Sequence, residues 1–159
     1  HKRMFEARQR GETLPVDLKN QFVYYVGPID PVAGEVVGPA GPTTASRMDP
    51  YAPRLLRETG QAGMIGKSER GAEVIRAVRE TGAVYMIATG GAGYLQAQTI
   101  KASRVLAYED LGTEAIREFQ VEDFPVVVAI DSTGENLHET GRLAYAGKSS
   151  AAPAAGKAR

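Results

Sequence analysis

Residues 63–108 read GMIGKSERGAEVIRAVRETGAVYMIATGGAGYLQAQTIKASRVLAY, and the order of patterns within them decides the fold class. Gly63–Gly66 (GMIG) is a short apolar run bounded by glycine, which predicts a buried strand. From Ser68 to Arg79 the apolar residues Val74, Ile75 and Val78 fall on one helical face, with Ser68 as the expected cap and Gly82 as the stop. Residues 83–88 (AVYMIA) form a continuous apolar run, the pattern of a strand covered on both faces. Gly90-Gly91-Ala92-Gly93 then turns the chain into a helix predicted over 94–102, and 104–108 reads as a further strand. Strand, helix, strand, helix, strand in this order predicts a layered α/β domain with right-handed crossovers.

Outward from this stretch, residues 21–26 (QFVYYV) are rich in aromatic and β-branched side chains and stop at Gly27-Pro28, as a strand does. Residues 27–43 carry the pairs Gly27-Pro28, Gly38-Pro39 and Gly41-Pro42, so turns and short extended pieces are expected there. Asp49-Pro50 reads as the N-cap and first residue of a helix through Glu58, closed by Gly60. Residues 114–122 fit neither period. Residues 126–130 form a strand, 131–134 a turn, and 136–138 a returning hairpin partner that would place His138 on a sheet edge. Strands on both sides of the central unit make the sheet mixed. The N-terminal residues show a polar helical pattern anchored by Met4 and Phe5 and ending at Gly11. With no Met before His1-Lys2-Arg3, a fragment or processed chain is expected. Residues 146–159 (AGKSSAAPAAGKAR) are small and polar and are expected to be a disordered tail, leaving 1–145 as one folded domain.

Composition narrows the chemistry. The 159 residues carry 19 Lys+Arg against 19 Asp+Glu, two His and no Cys. A chain of zero net charge lacks the cationic excess of a nucleic-acid or anionic-membrane surface. Without cysteine it offers no disulfide, thiolate nucleophile or thiolate-bound metal of its own. No apolar run reaches the roughly 20 residues of a membrane-spanning helix.

Three glycine-marked segments are candidates for function. Thr89-Gly90-Gly91-Ala92-Gly93 joins a strand to a helix, where backbone N–H groups can hold an anion. As a dinucleotide fingerprint it is incomplete, because the third glycine falls at Gln96; Glu109 and Asp110 nevertheless stand near the spacing of a ribose-binding acid. A tight turn suits the pattern better. Gly66-Lys67-Ser68 resembles the end of a phosphate-binding loop, but Gln61 occupies the position of its first glycine, so an ATP or GTP site is not expected. Lys67 reads equally as a solvated lysine or as a ligand-binding group at a strand end. The stretch 41–49 (GPTTASRMD) gathers three hydroxyls and a guanidinium between prolines. If it turned helically, Thr43 and Arg47 would share a face, and Arg47 would offer a planar fork to a carboxylate. The competing reading is a helix start with Arg47 paired to Asp49 or Glu58, and pattern alone favours that. The acidic pair Glu122-Asp123 reads as a charged turn before a strand.

The segments GPTTASRMDPY, GMIGKSERG, AVYMIATGGAGYLQAQTIK and EDLGTEAIREFQVEDFPVVVAIDSTG, in this order, resemble the β subunit of class I fumarate hydratases, which single-chain members carry as a C-terminal domain. The resemblance extends over about residues 1–140. The tartrate dehydratase β subunit shares much of this framework. The resemblance implies a swivelling β/β/α single domain and a hydro-lyase that reversibly hydrates fumarate to L-malate, a reaction of the tricarboxylic acid cycle. It implies a [4Fe–4S] cluster ligated by an α subunit or N-terminal domain and not by this chain. By motif position, Arg47 and Lys67 would bind the substrate carboxylates, Thr43 would transfer the proton at the substrate carbon, and Gly90 and Gly91 would close the pocket wall. A further arginine of the family would precede His1, in keeping with truncation. The isolated chain would be inactive, the enzyme a cytoplasmic oligomer. Tartrate dehydration and a non-catalytic dicarboxylate-binding or assembly domain are the alternatives.

Overall fold

The computed structural model describes residues 1–146. Four strands form a mixed sheet in the order β1-β2-β3-β6: β1 (Phe22–Tyr24), β2 (Gly63–Gly66), β3 (Val84–Ile87) and β6 (Val127–Ile130). The first three are parallel and β6 runs antiparallel beside β3. Parallel neighbours need crossovers, which α2 (Ala52–Thr59) and α3 (Ala72–Thr81) supply. A second sheet pairs β4 (Ile100–Ala107) with β5 (Ile116–Val121), antiparallel. Two sheets with helices agree with the α/β class and the mixed sheet. They also settle residues 114–122, whose ambiguous pattern reflects a strand exposed along much of its length.

The core follows the pleat. Val23, Met64, Tyr85 and Ile130 stand opposite one another across the four strands, and all face Leu56, Val74, Ala77 and Val78 of α2 and α3. The second face is more open: Phe22 is 51% and Val128 48% exposed, and Val84 and Met86 are half-buried. Full cover on both sides of residues 83–88 is therefore corrected; the run is apolar because one face is core and the other is roofed only in part. On that second side Tyr24 meets Phe124 edge to face and donates its hydroxyl to the Ala40 carbonyl. Helix α1 (Lys2–Gln9) buries Met4 against Leu18 and Leu55, placing α2 between α1 and the sheet. Gly60 and Gly82 close α2 and α3 in the left-handed conformation, as their positions predicted.

Four local expectations give way. Residues Ala45–Met48 form a short 3-10 turn and α2 begins only at Ala52, with Pro53 in its first turn, so Asp49 does not cap α2. Helix α3 begins at Ala72, not at Ser68, and its N-cap is Gly71. Helix α4 (Gly93–Thr99) ends early, because β4 already starts at Ile100. At the far end the hairpin shrinks to one bridge between Ile130 and Asn136. The Asn136 side chain then accepts from the His138 N–H and starts α5 (Leu137–Tyr145), so His138 sits in a first helical turn and not on a sheet edge. The tail expected over 146–159 lies outside the described residues apart from Ala146, which closes α5. No helix among the described residues is long and apolar enough to cross a membrane.

Candidate functional site

The carboxyl ends of β1, β2 and β3 lie side by side, and the segments that leave them carry Thr43, Arg47, Lys67, Gly90 and Gly91. Open parallel sheets collect ligand-binding groups at this edge. Beyond β1, Tyr25 continues the ladder by donating its N–H to the Ile65 carbonyl at 2.8 Å. The chain then wanders through 27–42 and returns, so that residues 43–45 thread between the two strand ends. The Thr43 N–H donates to the Tyr25 carbonyl at 2.8 Å, the Lys67 N–H to the Thr43 carbonyl at 3.1 Å, and the Ala45 N–H to the Lys67 carbonyl at 2.9 Å. Gly66 permits this approach, since a Cβ there would lie 2.8 Å from the Ala45 Cβ and 3.1 Å from the Tyr25 ring. Lys67 thus stands in parallel register with Thr44, bonded through its backbone to Thr43 and Ala45 on either side. The helical reading of 43–47 is corrected: Thr44 is extended and only the 3-10 turn follows it.

Arg47 and Lys67 are exposed. Among the described residues, the guanidinium of Arg47 reaches only the Thr44 carbonyl, through Nε at 3.5 Å, and neither cation is in an ion pair. The pairing of Arg47 with Asp49 or Glu58 is overturned for a concrete reason, because other arginines hold both carboxylates. Asp49 accepts from Arg70 Nε at 2.7 Å, and Glu58 accepts from Arg8 and Arg54. Those two arginines draw the Glu58 carboxyl below its ordinary range.

The aliphatic stem of Lys67 runs along Gly90, whose absent Cβ would stand 3.7 Å from Lys67 Cδ. Gly91 has φ +82°, a backbone angle that suits glycine. Beneath this turn, Gln96 is buried and donates its side-chain amide to the Thr89 carbonyl at 3.1 Å. A buried glutamine where a dinucleotide loop needs its third glycine explains why this turn is a brace and not a phosphate cradle. The Thr43 hydroxyl donates to the Tyr25 carbonyl at 3.0 Å and is half-buried. Two concavities lie elsewhere, one of about 330 Å³ along Arg8, Pro15, Leu18 and Glu58 and a smaller one around Asp30, Ser103 and Arg117. Neither includes Thr43, Arg47 or Lys67; of these, Arg47 and Lys67 are open to solvent and Thr43 is half-buried. No cluster of three or more potential metal-ligating side chains occurs among the described residues.

Sequence reasoning missed the layer below this face. Arg70 reads in sequence as one more charge at a helix start. In the fold its side chain is wholly buried between the rings of Tyr25 and Tyr85, 5.4 and 4.9 Å from their centroids. Asp49 also accepts from the Gly71 N–H at 2.6 Å, so it holds the start of α3 in place of the expected Ser68. Ser68 has φ +76°, a conformation that costs a non-glycine residue about 1–3 kcal/mol, and its carbonyl accepts from the Tyr85 hydroxyl at 2.9 Å. Burial raises the Tyr85 phenol to about 12 and pushes Tyr25 up as well, so both rings meet Arg70 as neutral phenols.

The family model for the fumarase C-terminus matches residues 1–141. The chain belongs to the fumarase C-terminus family. This fumarase C-terminal domain is 36% identical over 140 residues to the aerobic class I fumarate hydratase of Salmonella typhimurium, an alignment covering 87% of the chain and 24% of that enzyme. It is 37% identical over 140 residues to the anaerobic class I fumarate hydratase of Escherichia coli, covering 87% of the chain and 26% of that enzyme. A putative L(+)-tartrate dehydratase subunit beta from Methanocaldococcus jannaschii is 32% identical over 144 residues, covering 87% of the chain and 74% of that subunit. The domain therefore spans about a quarter of the fumarate hydratases it matches and most of one separate subunit.

Proposed function

We propose that this fumarase C-terminal domain supplies the substrate-binding half of a class I fumarate hydratase, which reversibly adds water to fumarate to give L-malate. The observation that carries the reading is the pair of exposed cations, Arg47 and Lys67, outside any ion pair among the described residues, on adjoining segments at one sheet edge while Asp49, two positions from Arg47, is held by Arg70. Fumarate and malate are dicarboxylates and need two cationic contacts. The guanidinium of Arg47 provides a planar two-donor fork for one carboxylate, and the Lys67 ammonium a compact charge for the other. Gly90 and Gly91 leave the wall beside Lys67 low, so a substrate can lie against backbone.

Hydration adds a hydroxyl to one alkene carbon and a proton to its neighbour. Thr43 is the proposed group for that proton. In the hydrating direction its hydroxyl would give up its proton to that carbon, and in the dehydrating direction the resulting alkoxide would take the proton back; donation to the Tyr25 carbonyl at 3.0 Å holds Oγ1 in place between turnovers. Threonine is a weak base alone, so the step depends on the surroundings that a second protein part completes.

With no cysteine, this chain holds no thiolate-bound cluster, and its residues fit the substrate side of such a site. When bound by an α subunit or N-terminal domain, the [4Fe–4S] cluster would supply a Lewis-acidic iron for substrate oxygens. The open candidate face, with Tyr94 and Leu95 exposed at 57% and 62% just beyond the glycine turn, supports a covering partner there. Cytoplasmic location, an oligomeric enzyme and a place in the tricarboxylic acid cycle belong to the same proposal. The likeness to a tartrate dehydratase subunit carries a second reading in which the same cations bind tartrate.

The test joins the domain to its cysteine-bearing partner part under anaerobic conditions and follows fumarate absorbance, with tartrate in parallel. Fumarate turnover by the assembled enzyme, and none by the domain alone, is expected. An assembled pair with intact cluster that leaves fumarate unchanged overturns the reading, and turnover of tartrate alone selects the second. Calorimetric binding of dicarboxylates to the isolated domain, without turnover on assembly, would identify a binding module instead.

A further inference from the structure

Arg47 and Lys67 stand on different segments; the backbone bonds of Lys67 to Thr43 and Ala45 join these at one end, but no contact between the two side chains sets the distance between the cationic ends. The residues below them do. Asp49 lies two positions after Arg47, and Arg70 three after Lys67. Arg70 Nε donates to Asp49 Oδ1 at 2.7 Å and the Gly71 N–H to Oδ2 at 2.6 Å, so both carboxylate oxygens bind the segment that follows Lys67. The guanidinium is wholly buried and lies against Tyr25 and Tyr85. Tyr25 offers its carbonyl to Thr43, and Tyr85 donates its hydroxyl to Ser68, the residue next to Lys67. One buried charge therefore contacts groups that anchor Thr43, Arg47 and Lys67.

We propose that Arg70, together with Asp49, is a positioning residue of the dicarboxylate site, fixing the spacing and direction of Arg47 and Lys67 without touching substrate. Burying a guanidinium beneath the site is a poor way to gain stability, since desolvation offsets the attraction and apolar side chains would fill the space as well. Arg70 Nη2 and the Tyr25 hydroxyl are moreover buried without an aligned hydrogen-bond partner. What the pair does achieve is directional: two charge-assisted bonds and two ring faces admit one arrangement of the 3-10 turn against the start of α3. Tyr85, packed against the Arg70 guanidinium, in turn bonds the carbonyl of Ser68, whose φ of +76° makes the bend immediately after Lys67. The inference rests on the reading of Arg47 and Lys67 as carboxylate-binding groups.

The experiment uses the assembled enzyme carrying Arg70→Lys, with Asp49→Asn as a second variant, because Asp49 is 22% exposed and its amide keeps the shape. Hydrogen exchange of peptides spanning 43–49 and 66–71 is measured beside kcat and KM. Faster exchange confined to these peptides is expected, with KM for the dicarboxylate raised about tenfold and kcat changed much less, since substrate binding loosens while the reacting groups survive. The double variant should be little worse than either single one, as in two halves of one device. Unchanged exchange in the folded variants overturns the device whatever the enzyme's substrate. Faster exchange with unchanged KM overturns its positioning role, as does a fall in kcat alone that tracks the folded fraction. A parent enzyme inactive on fumarate and tartrate would instead fail the proposed function and leave the exchange result to judge the Asp49–Arg70 device.

Discussion

At the scale of single residues, the chemistry of the candidate face turns on which charges are already spent. Ten ion pairs are formed among the described residues, and Arg47 and Lys67 belong to none. Their value lies in being available, since a hydrogen bond to a charged group is worth about 1.5–3 kcal/mol when the partner arrives. Replacing either residue by alanine is therefore expected to raise KM for the dicarboxylate by roughly ten- to hundredfold with little loss of folding stability, the conversion being about 1.4 kcal/mol per tenfold. Steady-state kinetics of the assembled enzyme, with a thermal melt as control, checks this. Unchanged KM in both variants would remove these residues from the site. Both residues were legible in sequence as candidates, but their freedom was not. It depends on Arg70 and Arg8 reaching Asp49 and Glu58 from 21 and 50 positions away, which no local pattern encodes, besides the local Arg54–Glu58 pair at i, i+4.

Among the elements, the decisive contact is the insertion of residues 43–45 between the ends of β1 and β2. Gly66 makes room for it, and its replacement by alanine would force a Cβ to 2.8 Å from that of Ala45. Gly66→Ala is expected to destabilise the domain by about 1–3 kcal/mol, the usual range for overpacking, as read by chemical denaturation. It should also displace Lys67, so the loss of substrate affinity should exceed that explained by the unfolded fraction. At the other end, the Asn136 side chain caps α5. Asn136→Ala is expected to cost about 1 kcal/mol, with exchange rising first in α5. Element types and order were readable between residues 63 and 108, because burial there is strong and the periods are clean. Helix starts were misjudged at Asp49 and Ser68 because the capping groups work across space. Asp49 holds the α3 N-terminus from 22 residues away in sequence. Likewise, 136–138 reads as a strand until the Asn136 side chain turns back on the His138 N–H.

For the whole molecule, acid sensitivity follows from carboxylates bound to arginine. Glu58 joins α1 and α2 through Arg8 and Arg54, and its folded pKa lies below the ordinary 4.5. A depressed carboxylate pKa contributes stability above the unfolded value, and that contribution disappears as pH falls through the folded value. Melting temperature is therefore expected to decline from roughly pH 5 to 3, and Glu58→Gln should flatten that decline while lowering the melting temperature at pH 7. The pair is partly exposed, so the effect is modest and should shrink further in high salt. A variant with the parent's acid slope would show that Glu58 does not link folding to pH.

By itself the sequence determined the class of this domain: an α/β layer order, a mixed sheet, no thiol ligand and a short set of cationic and hydroxyl candidates. Those properties are local, since apolar period, glycine stops and residue inventory are read within a window of a dozen positions. Only the tertiary structure decided which candidate segments meet at one sheet edge and which charges are in ion pairs. It also showed that a buried Arg70, paired to Asp49, underlies them. Backbone ladders and ion pairs between residues far apart in sequence depend on the folded path of the chain, and the sheet edge where three strand ends converge exists only once the crossovers have closed.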